Sequence, residues 1–170
     1  MTARARRGAH LFARNRRTAL VVASTGLIAV LTLAAVWWRA ASPASPFSED
    51  PVVIARGARV YAERCASCHG GKLQGQPDWQ VPRADGKLPA PPHNSDGHTW
   101  HHASATLFGI TKEGLVPPWA PPNYPSDMPR FVGRVSDEDI RAVLAFIAST
   151  WNEEARAWQR MIEEQTETRR

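Results

Sequence analysis

The sequence predicts a single, mainly α-helical domain that follows one N-terminal membrane helix. Three observations support this: an uncharged apolar run near the start, helical spacing of apolar residues on both sides of a long middle region, and one Cys-x-x-Cys-His motif. The 170 residues leave room for one domain of about 100 to 150 residues with tails. Hydrophobic residues make up 43% and charged residues 22% of the chain, which suits a folded rather than a disordered protein.

The distribution of charge argues against a nucleic-acid partner. The net charge is +5, but residues 1–39 hold seven arginines and no acidic residue, whereas residues 40–170 hold 14 basic and 16 acidic residues. A protein that binds DNA or RNA needs its basic excess on the folded surface that meets phosphate. Here the excess lies mostly ahead of the apolar run, so we expect no nucleic-acid binding.

The first predicted element is a transmembrane helix over residues 19–38. Twenty uncharged residues, at about 1.5 Å each, can cross a hydrocarbon core about 30 Å thick. The basic residues 1–18 precede the run, so the positive-inside rule predicts a cytoplasmic N-terminus and a single-pass anchor. The alternative is a cleaved signal peptide, but the run exceeds the roughly 7 to 15 apolar residues usual in a signal core.

The folded domain is predicted to span residues 49–151. A short linker rich in proline and serine, residues 39–48, separates it from the anchor. Asp50 can cap a first helix with Pro51 at its first position, and apolar residues then recur at helical spacing as far as Cys65.

The motif at residues 65–69 is typical of covalent haem attachment. Two thiols separated by two residues, Cys65 and Cys68, can each add to a vinyl group of one haem, while His69 lies under the iron. A redox-active cysteine pair or half of a zinc site also contains Cys-x-x-Cys. A redox pair usually begins a helix after a strand, whereas here a helix precedes the cysteines and Gly70 and Gly71 follow them.

From this motif onward, the chain resembles the class I cytochromes c over nearly all of residues 51–151. The resemblance implies that family's fold, in which crossed N- and C-terminal helices and a loop-rich middle surround one covalent haem c. Gly57 and Tyr61 match the small and aromatic residues at which the first helix meets the last. Ser136 is the predicted N-cap of that last helix. Its apolar face consists of Ile140, Val143, Leu144, Ile147 and Trp151.

The same resemblance implies that Met128 is the distal iron ligand. Met128 is followed by Pro129 and then by an aromatic residue, Phe131, just ahead of the last helix, as in the family's distal segment. Pro129 is accordingly placed in the haem pocket. His101 or His102 remains an alternative ligand, which would give a bis-histidine haem of lower potential.

Four further residues are candidates for the haem pocket. Trp79 and Arg83 can donate hydrogen bonds to the haem propionates. Trp100 and His101 lie in a helix predicted over residues 99–112, whose apolar face is expected to contact the porphyrin.

The segment His93–His102 carries four histidines in ten residues, which would suit copper or zinc if three of them converged. A copper-handling protein is therefore one alternative. Residues 75–79, 88–93 and 97–102 resemble a narrower group, the membrane-anchored bacterial monohaem cytochromes c. Residues 152–170 are predicted to form a polar helical tail on the outside of the domain.

The predicted function is single-electron transfer by one haem c with histidine and methionine ligands. The expected location is the outer, periplasmic face of the bacterial inner membrane. The expected redox partners are a dehydrogenase or quinol-oxidising complex and a terminal oxidase. No general base or substrate pocket is visible, so we expect neither enzymatic activity of its own nor a small-molecule substrate, although the chain can be a subunit of an oxidoreductase complex. A haem protein with an open distal site, binding ligands or acting like a peroxidase, is the remaining alternative.

Overall fold

The computed structural model describes residues 26–33 and 47–169. Residues 26–33, in a unit spanning Met1–Pro43, are helical and exposed. The predicted basic N-terminus (1–18), most of the predicted anchor (19–38) and nearly all of the linker lie outside the described residues. Within the described residues, no helix combines the length and apolar character that crossing a membrane requires.

The second unit, Ala44–Arg170, is helical as predicted, and none of its described residues forms a strand. A long stretch without regular helix, residues 70–98, separates its first helices from the rest. In chain order the elements are α1 (Pro51–Arg64), α2 (Ala66–His69), a 3₁₀ turn (Thr99–His101), α3 (Ser104–Glu113), α4 (Asp137–Ser149) and α5 (Glu153–Thr168).

Helix α1 begins where the sequence predicts. The Asp50 carboxylate accepts a hydrogen bond of 2.8 Å from the amide of Val52, and Pro51 occupies the first helical position, where its missing N–H costs nothing. The helix ends at Arg64, so Cys65 follows directly in the next turn. The cap therefore fixes where α1 begins, and the cysteine motif follows directly where α1 ends.

Helix α4 is capped by Ser136, whose hydroxyl accepts from the amide of Asp139 at 3.1 Å. Three acidic residues in its first turn interact favourably with the positive end of the helix dipole. Its apolar face is buried: Ile140, Val143, Leu144 and Ile147 are all less than 9% exposed. This helix therefore supplies more of the core of the unit than any other element.

Helices α1 and α4 pack closely at Gly57, as the resemblance implies. A Cβ on Gly57 would lie 2.0 Å from the carbonyl oxygen of Ala142, so only a hydrogen side chain fits. One turn further on, the Tyr61 ring packs on Phe146 with centroids 5.5 Å apart. At the edge of the contact, Arg56 binds Asp139 at 2.6 Å and holds the pKa of that carboxyl below its usual value.

The helix predicted over residues 99–112 is not continuous. The 3₁₀ turn ends at His101, and His102 and Ala103 are both extended before α3 starts at Ser104. Gly114, with φ of 85°, ends α3. The interruption separates the histidine-rich segment from the helix that follows it.

Candidate functional site

The two cysteines lie on one helical turn: Cys65 connects α1 to α2, and Cys68 lies in α2. The amide of Cys68 donates to the Cys65 carbonyl at 3.1 Å, and the amide of His69 donates to the same oxygen at 2.9 Å. Both thiols are free; Cys65 is partly buried and Cys68 is exposed. Burial, with a smaller contribution from Cys68, raises the pKa of Cys65 to about 11. A reactive redox cysteine needs a lowered pKa, so this environment disfavours a thioredoxin-like pair.

His69 is buried and has a fixed orientation. Its Nδ1 lies 2.9 Å from the carbonyl oxygen of Pro91, and because a carbonyl only accepts, Nδ1 must carry the proton. The lone pair is therefore on Nε2, the form in which imidazole binds a metal. Burial lowers the pKa of His69, which also favours the neutral ring.

The segment that orients His69 is itself held in place. The amide of His93 donates to the Leu73 carbonyl at 2.9 Å, and the indole N–H of Trp151 donates to the His93 carbonyl at 2.9 Å. The rings of His69 and His93 stack with centroids 4.0 Å apart. Burial is the main cause that lowers the pKa of His93 to about 3, so this ring is also neutral.

A small apolar cavity lies beside Cys65 and brings distant parts of the chain together. Its walls come from α1, α3, the loop before α4, and α4 itself. The lining residues are Val60, Arg64, Cys65, Thr111, Phe131, Val135, Ile140 and Val143. The wall next to the Cys65 thiol is therefore largely apolar.

Met128 is partly buried in a loop that ion pairs hold to another part of the domain. The neighbouring Asp127 binds Arg83 Nη2 and Lys87 Nζ, each at 2.5 Å. Hydrogen bonds from Lys87 and Arg83 lower the pKa of Asp127. Met128 donates its amide to the Ser126 hydroxyl at 3.0 Å. No described contact joins Met128 to His69, so its ligation of iron stays a prediction.

Arg83, which was predicted to bind the propionates, forms an ion pair with Asp127 and does not lie in a buried pocket. Pro129 is exposed. Trp79 stacks on His98 with centroids 5.1 Å apart and planes within 3°. Trp100 stacks on His101 at 3.8 Å. The contacts of these residues with haem remain predictions.

The histidine-rich segment does not assemble a second metal site. Among the residues that the structure describes, no group of three or more His, Cys, Asp or Glu side chains could hold a metal ion. His98 and His102 approach each other, with centroids 5.4 Å apart, but His93 is engaged with His69 and with the Thr99 hydroxyl. The copper-handling alternative therefore has no ligand set in the described chain.

Sequence reasoning missed two features of this site. The Pro91 carbonyl that orients His69 lies 22 residues further along the chain, and Lys87 pairs with Asp127 across 40 residues. The only sequence signal for the first was the Leu88–His93 stretch quoted for the narrower resemblance.

The family model described as Cytochrome c matches residues 54–151, more than half of the chain. The matched range includes Cys65, Cys68, His69 and Met128 and ends before α5. Neither the curated proteins nor the solved structures gave a match to this chain. A domain of this kind binds haem c covalently, and the donor set fits that group: two free thiols on one turn, and an imidazole whose Nε2 is available.

Proposed function

This chain belongs to the cytochrome c family, and we propose that it is a single-electron carrier with one haem c ligated by His69 and Met128. Members of the family are generally electron carriers rather than enzymes. The observation that carries the proposal is the hydrogen bond from His69 Nδ1 to Pro91, since it fixes the tautomer and the direction of the proximal ligand.

Haem c, when bound, supplies an iron that gains or loses one electron at a potential set by its axial ligands and surroundings. Cys65 and Cys68 attach the group, and His69 presents Nε2 from a buried position. The Pro91 carbonyl accepts a hydrogen bond from the Nδ1–H of His69. This bond makes Nε2 of His69 a stronger ligand for the iron. Buried apolar side chains such as Phe131 and Val143 would keep water away from the bound group on this side.

Met128 is proposed as the distal ligand because its loop is anchored immediately beside it. Asp127 ties the loop to Arg83 and Lys87, and Phe131 donates its amide to the Lys112 carbonyl at 3.1 Å. A thioether is a weak, soft ligand, so it benefits from a loop that is held on both sides of it. As an iron ligand together with imidazole, a thioether would favour the reduced iron and raise the potential.

Substituting Met128→Leu is expected to remove the sulfur-to-iron absorption band near the red end of the oxidised spectrum and to lower the reduction potential. Leucine preserves most of the volume but offers no lone pair. Met161→Leu, a change of the same kind in α5, is the matched control and should keep both. Absorption spectroscopy with a redox titration measures the two properties together.

A band that persists in Met128→Leu would assign the sulfur ligand to another methionine. A wild-type protein that lacks the band and whose reduced form does not bind carbon monoxide would assign the distal ligand to a histidine, His101 or His102 being the alternatives. Carbon monoxide binding by the reduced wild-type protein would instead indicate an open distal position, the ligand-binding or peroxidase-like alternative.

We further propose that residues 19–38 anchor the protein in the inner membrane, with residues 1–18 cytoplasmic and the haem domain at the outer face. The uncharged run and the arginines that precede it support this proposal. Proposed partners are a membrane dehydrogenase or quinol-oxidising complex and a terminal oxidase. Protease added to intact spheroplasts should digest the haem domain but leave an N-terminal epitope protected; a protected haem domain would contradict this orientation.

A further inference from the structure

Helix α5 lies beyond residue 151, where the family match ends, yet it is built into the domain. Ala155 and Gln159 on its inner side are each only 2% exposed, and Gln159 is one of the largest fully buried side chains. A buried glutamine needs hydrogen-bond partners, so its position is specified rather than incidental.

Glu163 joins α5 to the start of α3. Its Oε1 accepts hydrogen bonds from the backbone amide of Ser104 and from Gln159 Nε2, the latter at 2.7 Å. Ser104 is the first residue of α3, and the N-cap of that helix is Ala103, whose side chain cannot accept a hydrogen bond. A carboxylate from another helix thus supplies the cap that α3 lacks, at the end where the helix dipole favours a negative charge.

Arg156 in α5 binds backbone carbonyl groups at the C-terminal end of α4. Its Nε donates to the Trp151 carbonyl and its Nη2 to the Ser149 carbonyl, both at 2.9 Å. Helix C-termini leave carbonyl groups unpaired, and a cation there also complements the dipole. Helix α5 therefore caps two other helices: a carboxylate binds the N-terminus of α3, and a guanidinium binds the C-terminus of α4.

Trp158 provides a third contact. Its ring meets Trp100 edge-on at 6.3 Å and His101 at 5.3 Å between centroids. The 3₁₀ turn that precedes α3 is thus held by the same helix that caps α3.

The two capped helices form walls of the cavity beside Cys65. Thr111 comes from α3, and Ile140 and Val143 come from α4. We propose that α5 is a brace for the haem pocket and that Glu163 is a positioning residue, which acts on the pocket through α3. The expected change in reduction potential rests on the proposed function, whereas the expected change in hydrogen exchange rests on the fold alone.

The test compares Glu163→Ala, Glu163→Gln and Glu164→Ala in the haem-loaded protein. Loss of the cap in Glu163→Ala should speed hydrogen exchange of the first-turn amides of α3 about fivefold. It should also shift the reduction potential to more negative values, because a loosened wall exposes the haem to water. Glutamine keeps an acceptor oxygen and should restore most of both properties. Glu164 is an exposed neighbour on the same helix, so its substitution matches the change in charge and should alter neither.

A second variant covers the case in which Glu163→Ala folds poorly. Ser104→Pro removes the amide that Glu163 binds, while proline is well tolerated at the first position of a helix and Ala103 already has an extended conformation. Ser104→Pro by itself should therefore shift the potential in the same direction as the loss of the Glu163 carboxylate. Where both single variants fold, Glu163→Ala in the Ser104→Pro background should shift the potential less than it does alone.

Equal exchange rates and potentials in Glu163→Ala and Glu164→Ala, or additive effects in the double variant, would overturn the brace. Failure of the proposed function has a different signature: the wild-type protein would lack covalent haem, whereas the exchange difference between the two variants would remain.

Discussion

Replacing both Cys65 and Cys68 with serine will abolish covalently bound haem. Serine hydroxyls do not form thioethers, and no other cysteine exists in the chain to replace them. We expect the purified double variant to carry no pigment that survives denaturation, a loss essentially complete against wild type. Haem staining of a denaturing gel, normalised to the amount of protein, measures it.

Ser67→Ala is the matched control for this prediction. Ser67 lies between the two thiols and is exposed, so the change alters the same turn without removing an attachment atom. Equal haem staining in Ser67→Ala and wild type is expected. Staining retained in the double serine variant would show that the attachment site had been assigned wrongly.

Gly57→Ala is expected to destabilise the domain by at least about 3 kcal/mol, near or beyond the upper end of the usual range for overpacking a core. The new Cβ would lie 2.0 Å from the carbonyl oxygen and 2.5 Å from the carbonyl carbon of Ala142, and 2.9 Å from Phe146 Cβ. Two of these atoms belong to the backbone of α4, which cannot yield without moving buried residues such as Ile140. Denaturant unfolding of the holoprotein measures the free energy.

Gly71→Ala serves as the control, because a Cβ at Gly71 meets no atom within 4 Å. It should leave stability unchanged or raise it slightly, since alanine restricts the unfolded chain. If the two substitutions had similar effects, the close contact between α1 and α4 would not be a stabilising feature of the fold.

Features set by neighbouring residues could be predicted from the sequence. The caps at Asp50 and Ser136 are recognisable because the capping side chain lies two or three residues from the amide that it binds. The turn of Cys65, Cys68 and His69 follows from its own spacing. The contact of α1 with α4 at Gly57 was implied by the family resemblance and is confirmed by the packing.

Features that join distant segments could not be predicted in this way. Glu163 caps α3 from 59 residues away, and no local pattern marks a helix whose cap comes from elsewhere. Apolar periodicity suggested one helix through residues 99–112, because it cannot register the extended backbone at His102 and Ala103. The bond between His69 and Pro91 depends on how the intervening loop folds back.

The most direct test of the account is extraction of the denatured wild-type protein with acidified acetone, followed by its intact mass. We expect the pigment to stay with the polypeptide and the mass to exceed that of the chain by one haem. A colourless polypeptide whose mass shows no haem on Cys65 and Cys68 would contradict covalent attachment.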